Sequence, residues 1–383
     1  MTDWLSAEQA MRRLGVRPQT LYAYVSRGRV QAAADPADPR RSRYRASDIA
    51  ALTVRKARGR KAADVAESTI AWGEPVLSSA ITTVMDGRLY YRGHDAVRLA
   101  ETETLESVAR LLRGGDGAPL RRTLREPPPG GLTLLSRAFA ALAARAAVDP
   151  PARDRDPAEL AVEAATLLDI LADAVAGQLG GGPIHERLGR AWGCGRRGMD
   201  LIRRALVLMA DHELNASTFA ARVAASTGAS LSASALAGLA TLSGPLHGGA
   251  SAGVGGLIGE AERAGPREAV AALMAFHRPA PGFGHPLYPE GDPRARALFG
   301  AFRAPAPLEA LRAAVEAATG QHDNVDFALA ALARDLSLPA EAPFALFAVA
   351  RCAGWTAHAM EQIATGALIR PRARYVGRPP SAD

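Results

Sequence analysis

Along most of the chain, apolar residues recur every three or four positions, the interval that lines one face of a helix. Near the start, Ser6 with Glu8 and Gln9 behind it reads as a helix N-cap and first turn. Ala10, Met11 and Leu14 then supply an apolar face, and Gly15 a stop. Pro18 opens a second short helix, in which Leu21, Tyr22 and Val25 keep the spacing until Gly28. Residues 54–67 are basic and lose the apolar period, which predicts a linker or a solvated connecting helix. A period-two signal appears at residues 75–91, where Asp86-Gly87 between Thr/Val and Leu/Tyr residues predicts a β-hairpin. Beyond it long Ala/Leu helices take over, broken by Gly and Pro clusters at 114–117, 127–131 and 150–156. No internal repeat is apparent.

Composition sharpens this picture. Hydrophobic residues make up 48% of the 383 and charged residues 22%, ordinary for a globular protein, but aromatics reach only 5%. An interior short of Phe, Tyr, Val and Ile and rich in Ala and Leu favours closely packed helices over sheets. The length predicts two or three domains. No run approaches the ~18 apolar residues of a membrane span, and the first residues lack the basic-then-apolar form of a signal peptide. Two cysteines, Cys194 and Cys352, make neither a disulfide framework nor a zinc cluster. The expectation is a soluble, cytoplasmic, mostly α-helical protein with no metal and no membrane partner.

Charge changes the picture at one end. Residues 1–61 carry 14 Lys and Arg against 5 Asp and Glu, whereas the rest carries 32 against 34, so the net +7 resides in a basic head. Two short helices across a Gly-containing turn form a helix-turn-helix. Residues 5–28, with Val30 and the basic stretch Arg40-Arg-Ser-Arg-Tyr-Arg45 running into Ser47-Asp48-Ile49, resemble the excisionase/MerR-like winged helix family. That resemblance implies a second helix in the major groove and a wing on backbone phosphate. Gln19, Thr20, Tyr22, Tyr24 and Arg27 are then the groove-facing candidates, with Arg41 and Arg43 on the wing. Docking on a partner protein is the competing use of such a unit.

The chemistry-bearing residues lie in the second half, in polar or Gly-rich breaks between Ala-rich helices. They are Asp211-His212-Glu-Leu-Asn215-Ala-Ser217-Thr218, Gly244-Pro-Leu-His247-Gly-Gly249, Gly282-Phe283-Gly284-His285 through Asp292-Pro293-Arg294, and Asn324-Val-Asp326, followed by Arg351 and Arg370-Pro-Arg372. Three histidines, a carboxylate and several arginines suit a reaction on an anionic carbonyl compound. Arginine forks grip carboxylates, neutral imidazoles polarise a carbonyl, and a carboxylate removes a proton from the adjacent carbon. No H-x-x-x-H or H-E-x-x-H spacing points to a metal, no Gly-x-Ser-x-Gly elbow to a serine hydrolase, and no Gly-x-Gly-x-x-Gly to a dinucleotide.

Taken in order, these segments, with Asp86-Gly87…Tyr91-Arg92-Gly93 before them and Tyr375-Val-Gly377 after, closely resemble the citrate synthase family over residues 72–377. The resemblance implies a mostly α, two-domain fold preceded by the small winged helix-turn-helix domain. Its segments would be a head at 1–53, a basic linker at 54–71 and a synthase-like body at 72–383. Within that body the large subdomain would take 72–250 and 338–383, and the small one 251–337. It implies a homodimer with a shared active site, oxaloacetate and acyl-CoA as ligands, and acetyl-CoA as a substrate with no cofactor. By the same resemblance Asp326 is the base for the acetyl methyl group, His247 donates to the thioester oxygen, and His285 donates to the oxaloacetate carbonyl. His212, Arg294 and Arg351 would hold oxaloacetate, with Arg370 reaching in from the other subunit. Asn215 and Ser217 would support them, and Gly282, Phe283 and Gly284 would form the CoA loop.

The sequence departs from the family after His285, where Pro289 and Glu290 stand in place of basic residues. It departs again after Gly249 and after Asp326, and in a shorter stretch between Gly93 and Asp211. None of these changes deletes an implied catalytic residue. Three functions follow: condensation of acetyl-CoA with oxaloacetate to citrate, the same reaction with propionyl-CoA to 2-methylcitrate, and DNA-binding regulation with a metabolite-sensing body.

Overall fold

The computed structural model describes residues 4–16, 18–26, 30–36, 38–57, 77–115, 132–373 and 375–377. The chain divides into two compact units, one of residues 1–78 and 372–383, the other of 79–371.

The smaller unit folds in the order β1 (Trp4–Ser6), α1 (Ala7–Leu14), α2 (Pro18–Ser26), β2 (Ala32–Asp35), β3 (Asp38–Arg45) and α3 (Ala46–Ala57). Ser6 caps α1 reciprocally: its Oγ accepts from Gln9 N at 3.3 Å while Ser6 N donates to Gln9 Oε1 at 2.9 Å. Gly15, at φ 58°, ends that helix in the left-handed region. The strands pair antiparallel in the order β1-β3-β2. Leu5, Ala10, Leu14, Leu21, Val30, Tyr44 and Ile49 close a small core between sheet and helices. Helix α3 runs to Ala57, past the boundary expected at 53, and residues 58–71 of the expected linker, with 72–76 after them, lie outside the described residues.

The larger unit opens with the expected hairpin, β4 (Thr82–Met85) and β5 (Arg88–Tyr91), to which β6 (His94–Asp95) adds a third strand. Asp86 at φ 51° and Gly87 at φ 71° make the turn, since two consecutive positive φ values match the twist of paired strands. Helices α4 (Ala96–Thr102), α5 (Leu105–Leu112), α6 (Leu134–Val148), α7 (Pro157–Ala176), α8 (Ile184–Ala191), α9 (Arg196–Leu208), α10 (Ala216–Ser226) and α11 (Leu231–Leu242) follow. Side chains write their starts: Asp95 caps α4, Thr104 caps α5, Thr133 caps α6 and Asp156 with Pro157 begins α7. Of the expected breaks, 114–115 falls after α5 and 150–156 between α6 and α7, whereas 116–117 and the break expected at 127–131 lie outside the described residues.

A second group comprises α12 (Ala250–Ala264), α13 (Pro266–Ala275), α14 (Pro293–Ala301), α15 (Ala306–Thr319) and α16 (Val325–Asp335), packed on one another. The chain then returns in α17 (Ala342–Thr365), which is buried on almost every side and packs on α5, α7, α10 and α11. Contact there is close because small residues allow it. A Cβ on Gly238 of α11 would sit 2.6 Å from the Trp355 ring, and one on Gly354 would sit 2.2 Å from Asp211 Oδ1. Packing of α9 on α14 and of α16 on α17 joins the two groups, and the polar segments singled out from the sequence lie at those junctions.

Candidate active site

The segment after α9 is held from three sides. The Tyr91 hydroxyl lies 3.0–3.2 Å from the carbonyls of Val207, Leu208 and Asp211, around the C-terminal end of the helix. Val84 N of the hairpin donates to Glu213 Oε1 at 2.6 Å. Asn215 caps α10 by accepting from Ser217 N and Thr218 N, and its Nδ2 donates to the His212 carbonyl at 3.1 Å. His212 is thereby turned inward, with Nε2 2.8 Å from the Tyr288 hydroxyl and its ring edge-on to His285 at 5.2 Å between centroids. His247, in the Gly-rich turn before α12, puts Nε2 2.9 Å from Ser217 Oγ and its ring edge against Phe347.

The loop before α14 is joined to the start of α16. Gly284 N donates to the His322 carbonyl at 2.8 Å, Asn324 N to the Gly282 carbonyl at 2.8 Å, and Asn324 Nδ2 to the Gly284 carbonyl at 3.0 Å. That connection fixes where Asp326 stands relative to His285. Asp292 caps α14 and takes Arg294 in a two-pronged pair, Nε to Oδ1 at 3.0 Å and Nη2 to Oδ2 at 2.8 Å, while also accepting from Val325 N at 3.0 Å. Arg351 of α17, 1% exposed, donates Nε to the Met209 carbonyl at 3.0 Å, and its cation rests over the Phe347 ring. Arg351 Nη2 and Asp326 Oδ1 are among the buried side-chain atoms that lack a hydrogen-bond partner among the described residues, as are the neighbouring Asp211 Oδ1 and Thr218 Oγ1.

Burial sets the protonation states. It lowers His247 to about 4, with Arg351 adding to the effect, and His285 to about 4, with Arg294 adding. It drives His212 well below the usual histidine range, helped by Arg294 and Arg351. All three imidazoles are therefore neutral near pH 7, the form that donates a hydrogen bond without carrying charge. Burial raises Asp326 to about 6, against the pull of Arg294, so it is a base of moderate strength. Burial also brings Arg351 down to about 10, still protonated at pH 7. Burial alone would lower Arg294 too, but Asp292 more than offsets it and holds the guanidinium above its ordinary value.

Of the expected site residues, His212, Asn215, Ser217, His247, Gly282, Gly284, His285, Arg294, Asp326 and Arg351 come together here. Arg370 does not: it is exposed on the segment after α17. Phe283 lies on the same loop with its side chain turned inward, 7% exposed and packed on Phe327 at 4.9 Å between ring centroids. In the small unit Gln19, Thr20 and Tyr22 are exposed on α2, whereas Tyr24, which α2 turns inward, rests against the core. Arg41 is exposed and 3.3 Å from Asp38, Arg43 pairs with Asp35 at 2.9 Å, and Arg27 lies outside the described residues. Tyr288 and Trp355 were missed as site residues. Trp355 stands four residues after Arg351 on one helix face, a spacing that could have drawn attention to it.

A model of the "Citrate synthase, C-terminal domain" matches residues 120–372, more than half of the chain. The chain belongs to the citrate synthase family. Among curated relatives of this citrate synthase homologue, citrate synthase 2 of Bacillus subtilis is 38% identical over 192 residues, covering 47% of this chain and 51% of that one. The 2-methylcitrate synthase 2 of Corynebacterium glutamicum is 35% identical over 187 residues, 45% of this chain and 48% of its own. The chain thus spans about half the length of the curated relatives it matches. Against the crystal structure of citrate synthase from Thermotoga maritima the TM-score is 0.66 at 28% identity, with 81% of this chain and 96% of the other covered. The fold of this family member is accordingly the mostly helical one of citrate synthases.

Proposed function

We propose that the chain condenses acetyl-CoA with oxaloacetate to give citrate and CoA. The observation that carries this reading is the pair of buried, incompletely partnered charges, Arg351 Nη2 and Asp326 Oδ1, among three neutral histidines. A cationic fork wanting an anion, beside a carboxylate wanting a proton, is what a 2-oxo dicarboxylate and an enolisable thioester would complete.

In this reading Arg351, Arg294 and His212 hold the oxaloacetate carboxylates and place its carbonyl against His285. Asp326 takes a proton from the acetyl methyl group while His247 donates to the thioester oxygen, stabilising the enol. The enol carbon attacks the oxaloacetate carbonyl carbon, the carbonyl π electrons pass to oxygen, and His285 supplies a proton there. Water then cleaves the thioester, releasing CoA and citrate. The backbone of 282–284 would lie along CoA, and Arg370 would complete the site from a second subunit of a homodimer. The large and small parts, 72–250 with 338–383 and 251–337, would move together over the substrates.

The test is CoA release by the purified chain with acetyl-CoA, with and without oxaloacetate, repeated with propionyl-CoA and with Asp326→Ala. Release that depends on oxaloacetate and drops roughly 10²–10⁴-fold in the variant is expected. Oxaloacetate-independent release, or full activity in Asp326→Ala, refutes the reading. A propionyl-CoA rate above the acetyl-CoA rate would make the product 2-methylcitrate.

A second activity is favoured by the small unit, which has its own core and carries Gln19, Thr20 and Tyr22 exposed on α2 with Arg41 exposed on β3. Read as a winged helix-turn-helix, it would contact duplex DNA. Mobility shift at two salt concentrations tests it, since phosphate-dominated binding weakens steeply with salt. Absence of any shift at low salt sinks the DNA reading and leaves the synthase untouched.

A further inference from the structure

Ser217 Oγ, fully buried, has three neighbours and a single proton. Trp355 Nε1 lies 3.1 Å away, Asn215 Oδ1 2.7 Å and His247 Nε2 2.9 Å. The indole N–H can only donate, so it occupies one lone pair of the hydroxyl. The Asn215 oxygen can only accept, and its identity is fixed: it receives Ser217 N and Thr218 N while the amide nitrogen donates to the His212 carbonyl. At 2.7 Å two oxygens need a proton between them. Ser217 must therefore give its proton to Asn215, and its second lone pair is left for a donor, which is His247 Nε2–H.

We infer that Trp355 and Asn215, acting through Ser217, hold His247 as its Nε2–H tautomer in the free protein, with Nδ1 an acceptor until the thioester site is occupied. A carbonyl oxygen at Nδ1 would reverse the preference. Ser217 would then turn its own proton to His247 Nε2 and its Oγ away from Asn215 Oδ1, which keeps Ser217 N and Thr218 N as donors, and the imidazole would exchange its Nε2 proton for one at Nδ1 through solvent, one proton on the ring throughout. Trp355 is a positioning residue in this scheme: it keeps Ser217 in place and restricts it to a two-way choice. The resting tautomer stands on hydrogen bonding alone, whereas the reversal rests on the proposed condensation.

Nitrogen-15 NMR of the full chain with labelled histidine, His247 identified by its loss in His247→Gln, reads the tautomer directly. The free protein is expected to show Nε2–H, protected from exchange in the wild type and rapidly exchanging in Ser217→Ala. Oxaloacetate with carboxymethyl-CoA, a thioether that cannot enolise as a thioester does, is expected to move the proton to Nδ1. Nδ1–H in the free protein overturns the inference even if CoA is released normally. Nε2–H in a chain that releases no CoA leaves the resting tautomer standing and removes the synthase. Trp355→Phe is expected to lower kcat roughly three- to tenfold, the size of one hydrogen bond, with KM for oxaloacetate unchanged. Combined with Ser217→Ala it is expected to cost no more than Ser217→Ala alone. Additive losses would assign Trp355 a packing role only and overturn its part.

Discussion

Asp326 carries opposite consequences for activity and for stability. Its carboxyl, raised to about 6 by burial, acts as a base only when ionised, so kcat/KM is expected to fall about tenfold per pH unit below that value. The sign for stability runs the other way. The folded chain binds this proton more tightly than the unfolded chain, whose carboxyl titrates near 3.9, so stability is lost as pH rises between the two values. Asp326→Asn should therefore abolish CoA release at pH 7 and raise stability there by about 2–3 kcal/mol, measured by thermal unfolding. A lowered Tm would contradict it. Arg351 is expected to behave differently, because its orphaned nitrogen points to binding rather than proton transfer. Arg351→Ala should raise KM for oxaloacetate by roughly 10–100-fold, the worth of a hydrogen bond to a charged group, as read from initial rates.

At the level of elements, one carboxylate organises much of the site. Asp292 caps α14, neutralises Arg294 and accepts from the first residue of α16. Removing it leaves a buried guanidinium without its counter-ion, so Asp292→Ala should cost about 3–5 kcal/mol, seen in urea as a lower midpoint at unchanged slope. Such local signals were legible in the sequence. Ser6 and Gly15 bracket their helix, Asp86-Gly87 fixes its hairpin, and Asn324 precedes the apolar run of α16. Contacts across the sequence were not. Trp355 meets Ser217 from 138 positions away, and Tyr288 reaches His212 across 76, distances at which no spacing rule operates. Phe283 sits in a Gly-Phe-Gly turn that looks solvated, yet the two positive-φ glycines beside it bend its ring into the core.

For the molecule as a whole, the charge asymmetry read from the sequence coincides with a structural division. The basic head has its own capped helix α1 and its own core within the smaller unit, and residues 79–371 of the near-neutral remainder form the larger unit. The order of the chemical segments was legible because they interrupt Ala-rich helices, but their convergence depends on α17 returning to pack on α9, α10, α11 and α16.

The proposed function also makes the stability of the larger unit depend on its ligand. Oxaloacetate at 100 times its Kd should add about 2.7 kcal/mol, a shift of several degrees in differential scanning fluorimetry, and at the same concentration Arg351→Ala should cut this to about 0.4–1.4 kcal/mol. A buried guanidinium nitrogen and carboxylate oxygen with nothing to bind make the starved protein the one that opens most often. Since proteases cleave opened chains in proportion to their population, the cellular lifetime of this protein should lengthen as the 2-oxo acid of the proposed condensation accumulates, a feed-forward control of abundance that needs no transcription.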